Sequence, residues 1–251
     1  MDTGDSLYHF LTPLATATRG NVTAFVTDLL RQAIVTLQLP PGEAIDKNAL
    51  CERLGVSRFP VSEALARLQA EGLVDIMPQR GTTVSLIRIA DVLEYMLIRK
   101  ALEAEAVRVV TTQRSEELLD ALRKNLSYQH RAVEIDDHFG FHERDIEFHD
   151  IIFADMRFTR VKGVIEQTRG NLDRARRLLL SPRRLGASMD EHEAIFSGIE
   201  HGDPDESERA MRAHIDSVMA EVITFAHDHP DIFADGEVLM KEPGYTAFPF
   251  G

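Results

Sequence analysis

The chain of 251 residues has a single cysteine, Cys51. It can form no internal disulfide and no thiolate metal cluster, which suits a reducing compartment. Long apolar runs are also missing: no stretch nears the roughly 18–20 uninterrupted apolar residues of a membrane helix. The opening residues MDTGDSLYHF lack a basic start followed by an apolar run. No secretory signal is read there, so a cytoplasmic protein without membrane contact is expected. Positive charge is scarce, with 28 Lys+Arg against 41 Asp+Glu and a net charge of −13. Taken as one body, that balance argues against a nucleic-acid partner. Divided, residues 1–85 carry −2 and residues 86–251 carry −11. The acidity therefore lies in the second part, and the first is near neutral. What is present is ordinary: 44% hydrophobic and 27% charged residues, enough for one large domain or two modest ones.

Residues 1–20 read as a loose arm. Val22, Phe25, Val26, Leu29, Leu30, Ala33, Ile34 and Leu37 then follow helical spacing, the stripe of an amphipathic helix. Leu39-Pro40-Pro41-Gly42 stops it. A short helix over Lys47 to Leu54 ends at Gly55, and Ser57 can cap a further helix reaching Glu71. Residues 73–77 and 82–86 read as short strands around Pro78-Gln79-Arg80-Gly81. The module spans 21–86. From 90 to 229 the pattern is helical, with helices expected over 90–112, 115–134, 139–156, 159–180, 188–201 and 205–229. Residues 230–251, with three of the ten prolines, read as an irregular tail. The fold expected is mainly α: an N-terminal winged helix-turn-helix followed by an all-α helical bundle.

A helix-turn-helix places its second helix in the major groove with the N-terminal residues nearest the bases. Here these are Ser57, Arg58 and Phe59. Arg58 can pair bidentately with guanine or hold a phosphate. Arg80 and Gly81 lie at the hairpin tip, where an arginine can enter a groove. Arg31, Lys47, Arg53 and Arg67 are further candidates for backbone contact. The same pattern also fits a winged helix used for protein contacts.

The helical part carries a second constellation. Asp145 and His149 are four apart, on one helix face that continues to Ile152. His192 shares a face with Ile195 and Ile199, and His214 with Ala210 and Val218. Buried imidazoles and carboxylates cost free energy unless paired or bound to metal. Meeting in a bundle, the four would make a divalent-metal site of nitrogen and oxygen ligands, suited to zinc, nickel, manganese or iron. Alternatively, each histidine is satisfied separately by a carbonyl or carboxylate. His142 could share the face of Asp145. The run Arg174, Arg176, Arg177, Arg183 and Arg184 reads as a solvated or interdomain face.

Pro41-Gly42-Glu43, Glu52-Arg53-Leu54-Gly55-Val56-Ser57-Arg58, Pro60-Val61, Glu63-Ala64-Leu65, Glu71-Gly72-Leu73-Val74 and Pro78-Gln79-Arg80-Gly81 resemble the N-terminal domain of GntR-type bacterial transcription regulators. The resemblance implies DNA binding by Arg58 and by the Arg80-Gly81 wing. Phe59 and Ser62 depart from it, standing where the family usually has Thr and Arg, which implies a different operator preference. Asp145-Ile-Glu-Phe-His149, Glu191-His192-Glu-Ala-Ile195, Gly202-Asp203 and Met211-Arg-Ala-His214 resemble the helical effector domain of the family's FadR branch, the FCD domain. In its metal-containing members an Asp and three His at these positions hold a divalent cation, so the resemblance implies a metal at Asp145, His149, His192 and His214, with zinc ranked first. It also implies a small carboxylate effector, such as a hydroxy acid or sugar acid, lying against the metal. Arg99 matches an arginine of the family's first effector-domain helix. Asn171 and Arg174 are candidates to line the same cavity. For Arg99 the alternative is an intrahelical pair with Glu103.

These readings converge on a homodimeric, ligand-responsive repressor bound to a pseudo-palindromic operator, and not on an enzyme. A metal-dependent enzyme acting on a small hydroxy or sugar acid is the rival. Against it, no distinct general base stands at motif spacing, although Glu143 and Glu147 are near. A regulator for which the metal itself is the signal is a third reading.

Overall fold

The computed structural model describes residues 8–12, 22–156, 161, 172–179 and 181–236. It divides into two units, Met1–Ile87 and Arg88–Gly251.

The first unit holds α1 (Val22–Val35), α2 (Lys47–Leu54), α3 (Arg58–Ala70) and a hairpin of β1 (Val74–Met77) with β2 (Gly81–Val84). Helix α1 buries Val26, Leu30, Ala33 and Ile34, the expected stripe. They meet Val61, Ala64, Leu65 and Leu68 of α3 in one core with Leu50 and Leu54. Asp46 starts α2 by accepting from the amides of Asn48 and Ala49. Gly55 ends it at φ 67°, a left-handed conformation cheap only for glycine, and so makes the sharp turn into α3. Ser57 occupies the N-cap position of α3 with extended backbone, but its side chain makes no capping bond. The hairpin pairs antiparallel, Val74 opposite Val84 and Met77 opposite Gly81. Ala44 bridges to Thr83 on its other side, so the residues after α1 also brace the wing.

One expectation fails here. The arm is not loose throughout: Tyr8 and Leu11 are buried in this core. The Tyr8 hydroxyl accepts from the Asp46 amide. Their burial offsets part of the cost of ordering the short segment.

The second unit is helical: α4 (Ile89–Gln113), α5 (Glu116–Glu134), α6 (His138–Asp155), α7 (Pro182–His201) and α8 (Pro204–Asp228). The helix expected over 159–180 falls largely outside the described residues; within it, residues 172–178 are helical. Helix α7 begins six residues earlier than expected. Ser181 caps it through the Arg184 amide and Pro182 takes the first turn. Ser-Pro is a start signal here, because the first turn needs no proline N–H. Helices α7 and α8 turn about Gly202, φ 70°, and Asp203, whose carboxylate caps α8. The tail is not wholly irregular: a 3-10 turn spans Pro230–Ile232, and Phe233 is buried. Asp235 accepts from the amides of Ile89 and Ala90 and so caps α4 from the far end of the unit. Among the described residues, no helix is long and apolar enough to cross a membrane.

Candidate metal centre and DNA-reading face

Helix α6 carries Asp145 and His149 on one buried face, α7 supplies His192, and α8 supplies His214. The structure brings all four together. One ligand atom from each lies within 4.8 Å of the others, and all four residues are buried. His192 stacks on Phe148 at 4.4 Å between ring centroids. Its own centroid is 4.7 Å from that of His214 and 5.3 Å from that of His149.

The hydrogen-bond pattern gives the cluster its character. Each imidazole turns Nδ1 outward to an oxygen: His192 is hydrogen-bonded to Gln129 Oε1 at 2.7 Å and His214 to Glu191 Oε2 at 2.8 Å, while His149 Nδ1 makes an ion-pair contact with Glu103 Oε2 at 2.6 Å. An oxygen that can only accept places the hydrogen on Nδ1 and leaves the Nε2 lone pair facing inward. These three Nε2 atoms and Asp145 Oδ1 are buried without a hydrogen-bond partner. Unpaired buried polar atoms are costly, and four aimed at one point are the donor set a divalent cation requires. The residues therefore could hold a metal ion.

Electrostatics agree. Burial holds His192 well below the ordinary imidazole value, and His214 adds to this. Burial likewise pushes His214 down to about 4 against the upward pull of Glu191. Burial would raise Asp145, but Arg176 and the imidazoles outweigh it and hold the carboxyl well below the usual range. His192 and His214 are thus neutral and Asp145 ionised near neutral pH, the forms that ligate metal.

Glu103 forms the intrahelical pair weighed as the alternative for Arg99; several other contacts here escaped sequence reasoning. Glu103 is buried between Arg99 and His149, and burial is outweighed by those two groups so that its carboxyl is lowered. Arg176 pairs with Asp145 Oδ2, Arg184 with Glu191, Arg177 with Glu143. The arginine run is therefore not a solvated face. Arg174, Arg176 and Arg184 are buried, the last two against carboxylates; Arg183, 76% exposed, points out. A cavity beside Asp145 is lined by Phe141, His142, Arg176, Arg184, Leu185 and Ser188, among others. Of the residues expected to hold an effector, Arg99 is buried and bonded to Glu103, Arg174 is fully buried, and Asn171 lies outside the described residues.

In the first unit Ser57, Arg58, Phe59, Ser62, Arg80 and Gly81 are all exposed. The first four share the start of α3, and the last two the turn into β2. Arg58 Nη2 donates to Asn48 Oδ1 at 2.7 Å, so α2 orients the leading arginine. Phe59 is 74% exposed, far from the usual state of an aromatic ring. Two proposed backbone contacts have other occupations. Arg53 donates to the carbonyls of Tyr8, His9 and Leu11, and Arg31 pairs with Glu71 and Asp28.

Comparison with known proteins places this geometry. Residues 22–84 match the profile described as bacterial regulatory proteins, gntR family, and residues 94–217 match the FCD domain. A regulator from Streptomyces ambofaciens, described as an HTH-type transcriptional regulator in an unstable DNA locus, is 33% identical, over 82% of this chain and 86% of its own length. The HTH-type transcriptional repressor RspR of Escherichia coli K12 is 30% identical over 82% of this chain and 91% of its own. Among solved structures, a GntR regulator from Rhodococcus sp. RHA1 superposes with TM-score 0.70 at 20% identity, over 80% of this chain and 97% of its own. Escherichia coli McbR/YncC does so with TM-score 0.68 at 21% identity, over 81% and 97%. At such identities these two show the fold.

Proposed function

The chain belongs to the gntR family of bacterial regulatory proteins and carries an FCD domain, and from that premise we propose that a small carboxylate, held at a divalent-metal site, sets its grip on operator DNA. The observation that carries the reading is the set of four unpartnered ligand atoms facing one another. Asp145 Oδ1 and the Nε2 atoms of His149, His192 and His214 would hold the cation, with zinc first and nickel, manganese or iron as alternatives. When bound, the ion supplies a positive centre with a position open to a carboxylate oxygen. Arg176 and Arg184, which line the adjoining cavity, supply positive charge toward the rest of an anionic ligand. Arg99 and Arg174 deepen the positive potential, and Asn171 is a further candidate contact.

A homodimer would set two copies of α3 on two half-sites of a pseudo-palindromic duplex. Ser57, Arg58, Phe59 and Ser62 would read the major groove, while Arg80 and Gly81 follow the wing. A ligand shifts DNA affinity only by binding the competent and incompetent states differently. Repression relieved by ligand is the sign we propose, in keeping with the repressor names of two relatives.

Elemental analysis of untreated protein should find about one divalent ion per chain. No metal in that sample and none taken up on reconstitution would end the metal reading. Site selection from random duplexes should enrich a pseudo-palindrome, and the Arg58→Ala variant should lose it. Enrichment of no sequence would end the DNA reading. Operator affinity that moves with metal alone and ignores hydroxy acids would favour direct metal sensing over a carboxylate effector.

A further inference from the structure

Two buried amides behind the cluster remain to be explained. Gln129 is fully buried and Asn125 is 2% exposed. They stand four apart on α5, on its inward face. Neither is among the four converging ligands. Buried amides are costly unless their hydrogen bonds are met, and an apolar pair there would pack as well. The pair is satisfied by a chain of bonds that runs in one direction only.

The direction follows from its outer end. Asn125 Nδ2 donates to the Arg144 carbonyl at 3.0 Å and to Glu147 Oε2 at 3.0 Å. Both partners are acceptors, so the amide group must present its NH2 to them and its Oδ1 to the other side. Gln129 Nε2 donates to that Oδ1 at 2.7 Å, which turns Gln129 Oε1 toward His192. That oxygen can only accept, so His192 Nδ1, 2.7 Å away, carries the hydrogen. Nε2 is then bare and aimed at the cluster. Reversing any amide would set NH2 against NH2 or oxygen against oxygen along the chain.

We propose that Asn125 is a positioning residue for the metal centre: through Gln129 it locks His192 in the tautomer that can ligate. Arg144 and Glu147 on α6 anchor the relay at the surface, and His192 on α7 receives it. The purpose assigned to the relay rests on the metal reading above, but its effect on the imidazole exists without metal. Asn125 differs here from Glu103 and Glu191, whose carboxylates need no orienting because both oxygens accept. Only the amide at His192 could present the wrong end, and only His192 has a second amide behind it to prevent that.

The test uses full-length protein. Nitrogen-15 spectra of the metal-free chain report the His192 tautomer directly. Wild type should show the hydrogen on Nδ1 alone. Asn125→Leu frees Gln129 to turn over, so the Nε2–H form should appear and zinc affinity, from chelator competition, should fall about tenfold. Asn125→Ala repeats the measurement if leucine packs poorly. The decisive variant is Asn125→Leu with Gln129→Glu. A carboxylate at 129 accepts whichever way it turns, so the Nδ1–H tautomer and near-wild-type zinc affinity should return. A residue that merely filled space would gain nothing from that second change. The proposal is overturned if His192 keeps its Nδ1 hydrogen in both single Asn125 variants, or if the double variant is no better than the single. A wild-type chain that takes up no zinc, yet whose tautomer still shifts in the variants, would sink the metal reading and leave the relay standing.

Discussion

Lowering the pH from 8 to 6 should barely weaken zinc binding. Protons compete with metal only where a ligand is protonated at the working pH. Two ordinary imidazoles of pKa about 6.5 would each be mostly protonated at pH 6, and together would weaken affinity roughly 16-fold relative to pH 8. In the folded chain burial holds His192 well below that value and His214 down to about 4. Both are already neutral at pH 6, so their proton competition nearly vanishes and the loss should stay under about fivefold. The measurement is chelator competition at pH 8, 7 and 6, corrected for protonation of the chelator. A loss of tenfold or more would refute the reasoning, because the imidazoles would then titrate as if in water. Stability should show the complementary trend in the metal-free protein. The folded value of His214 lies below its unfolded value, so protons favour the unfolded chain. Its contribution is complete above about pH 6.5 and is lost as pH falls toward 4, amounting to about 2 kcal/mol between pH 7 and 5.

Other expectations follow from single contacts. Glu103→Ala leaves Arg99 buried without its carboxylate and should cost about 3–5 kcal/mol in urea denaturation; a cost under 1 kcal/mol would mean that water reaches the pair. Gly198→Ala sets a methyl 2.7 Å from the Ser207 amide nitrogen, where α7 and α8 pack, and should destabilise by about 1–3 kcal/mol in the same assay. Phe59, exposed at the head of α3, can meet a thymine methyl in the major groove. Replacing that thymine by deoxyuridine in a selected operator should weaken wild type about fourfold, the worth of one buried methyl, and leave Phe59→Ser unchanged. Uniform tolerance of deoxyuridine by wild type would dispose of the contact.

The helix-turn-helix was legible because its punctuation is local. Gly55 and the 78–81 turn each act within a few residues of their own position. The metal quartet was legible for a different reason. Histidine on an apolar helix face is conspicuous, and Asp145 and His149 declare their common face by spacing alone. The supporting groups were not legible, because what makes them matter lies far along the chain. Gln129 meets His192 across 63 residues, and Arg176 meets Asp145 across 31. On a helix surface such residues look solvated. The arginine run misled for that reason: five cations in eleven residues suggest water, yet Asp145, Glu143 and Glu191 wait opposite three of them. Tyr8 was missed because the short run Leu7-Tyr8-His9-Phe10-Leu11 sustains no period.

The cap that Asp235 places on α4 joins residues 146 apart in sequence. It makes the start of α4 and the segment after α8 thermodynamically one place. Helix α4 starts immediately after the boundary between the units, at Ile87 and Arg88. Trimming the chain before Asp235 therefore does not act only where it cuts. It strips two amides at the opposite terminus of their acceptor and frays the turn through which the helical unit is entered. Whatever binds or cleaves the segment around 230–236 has a lever on the segment that leads to the DNA-reading unit.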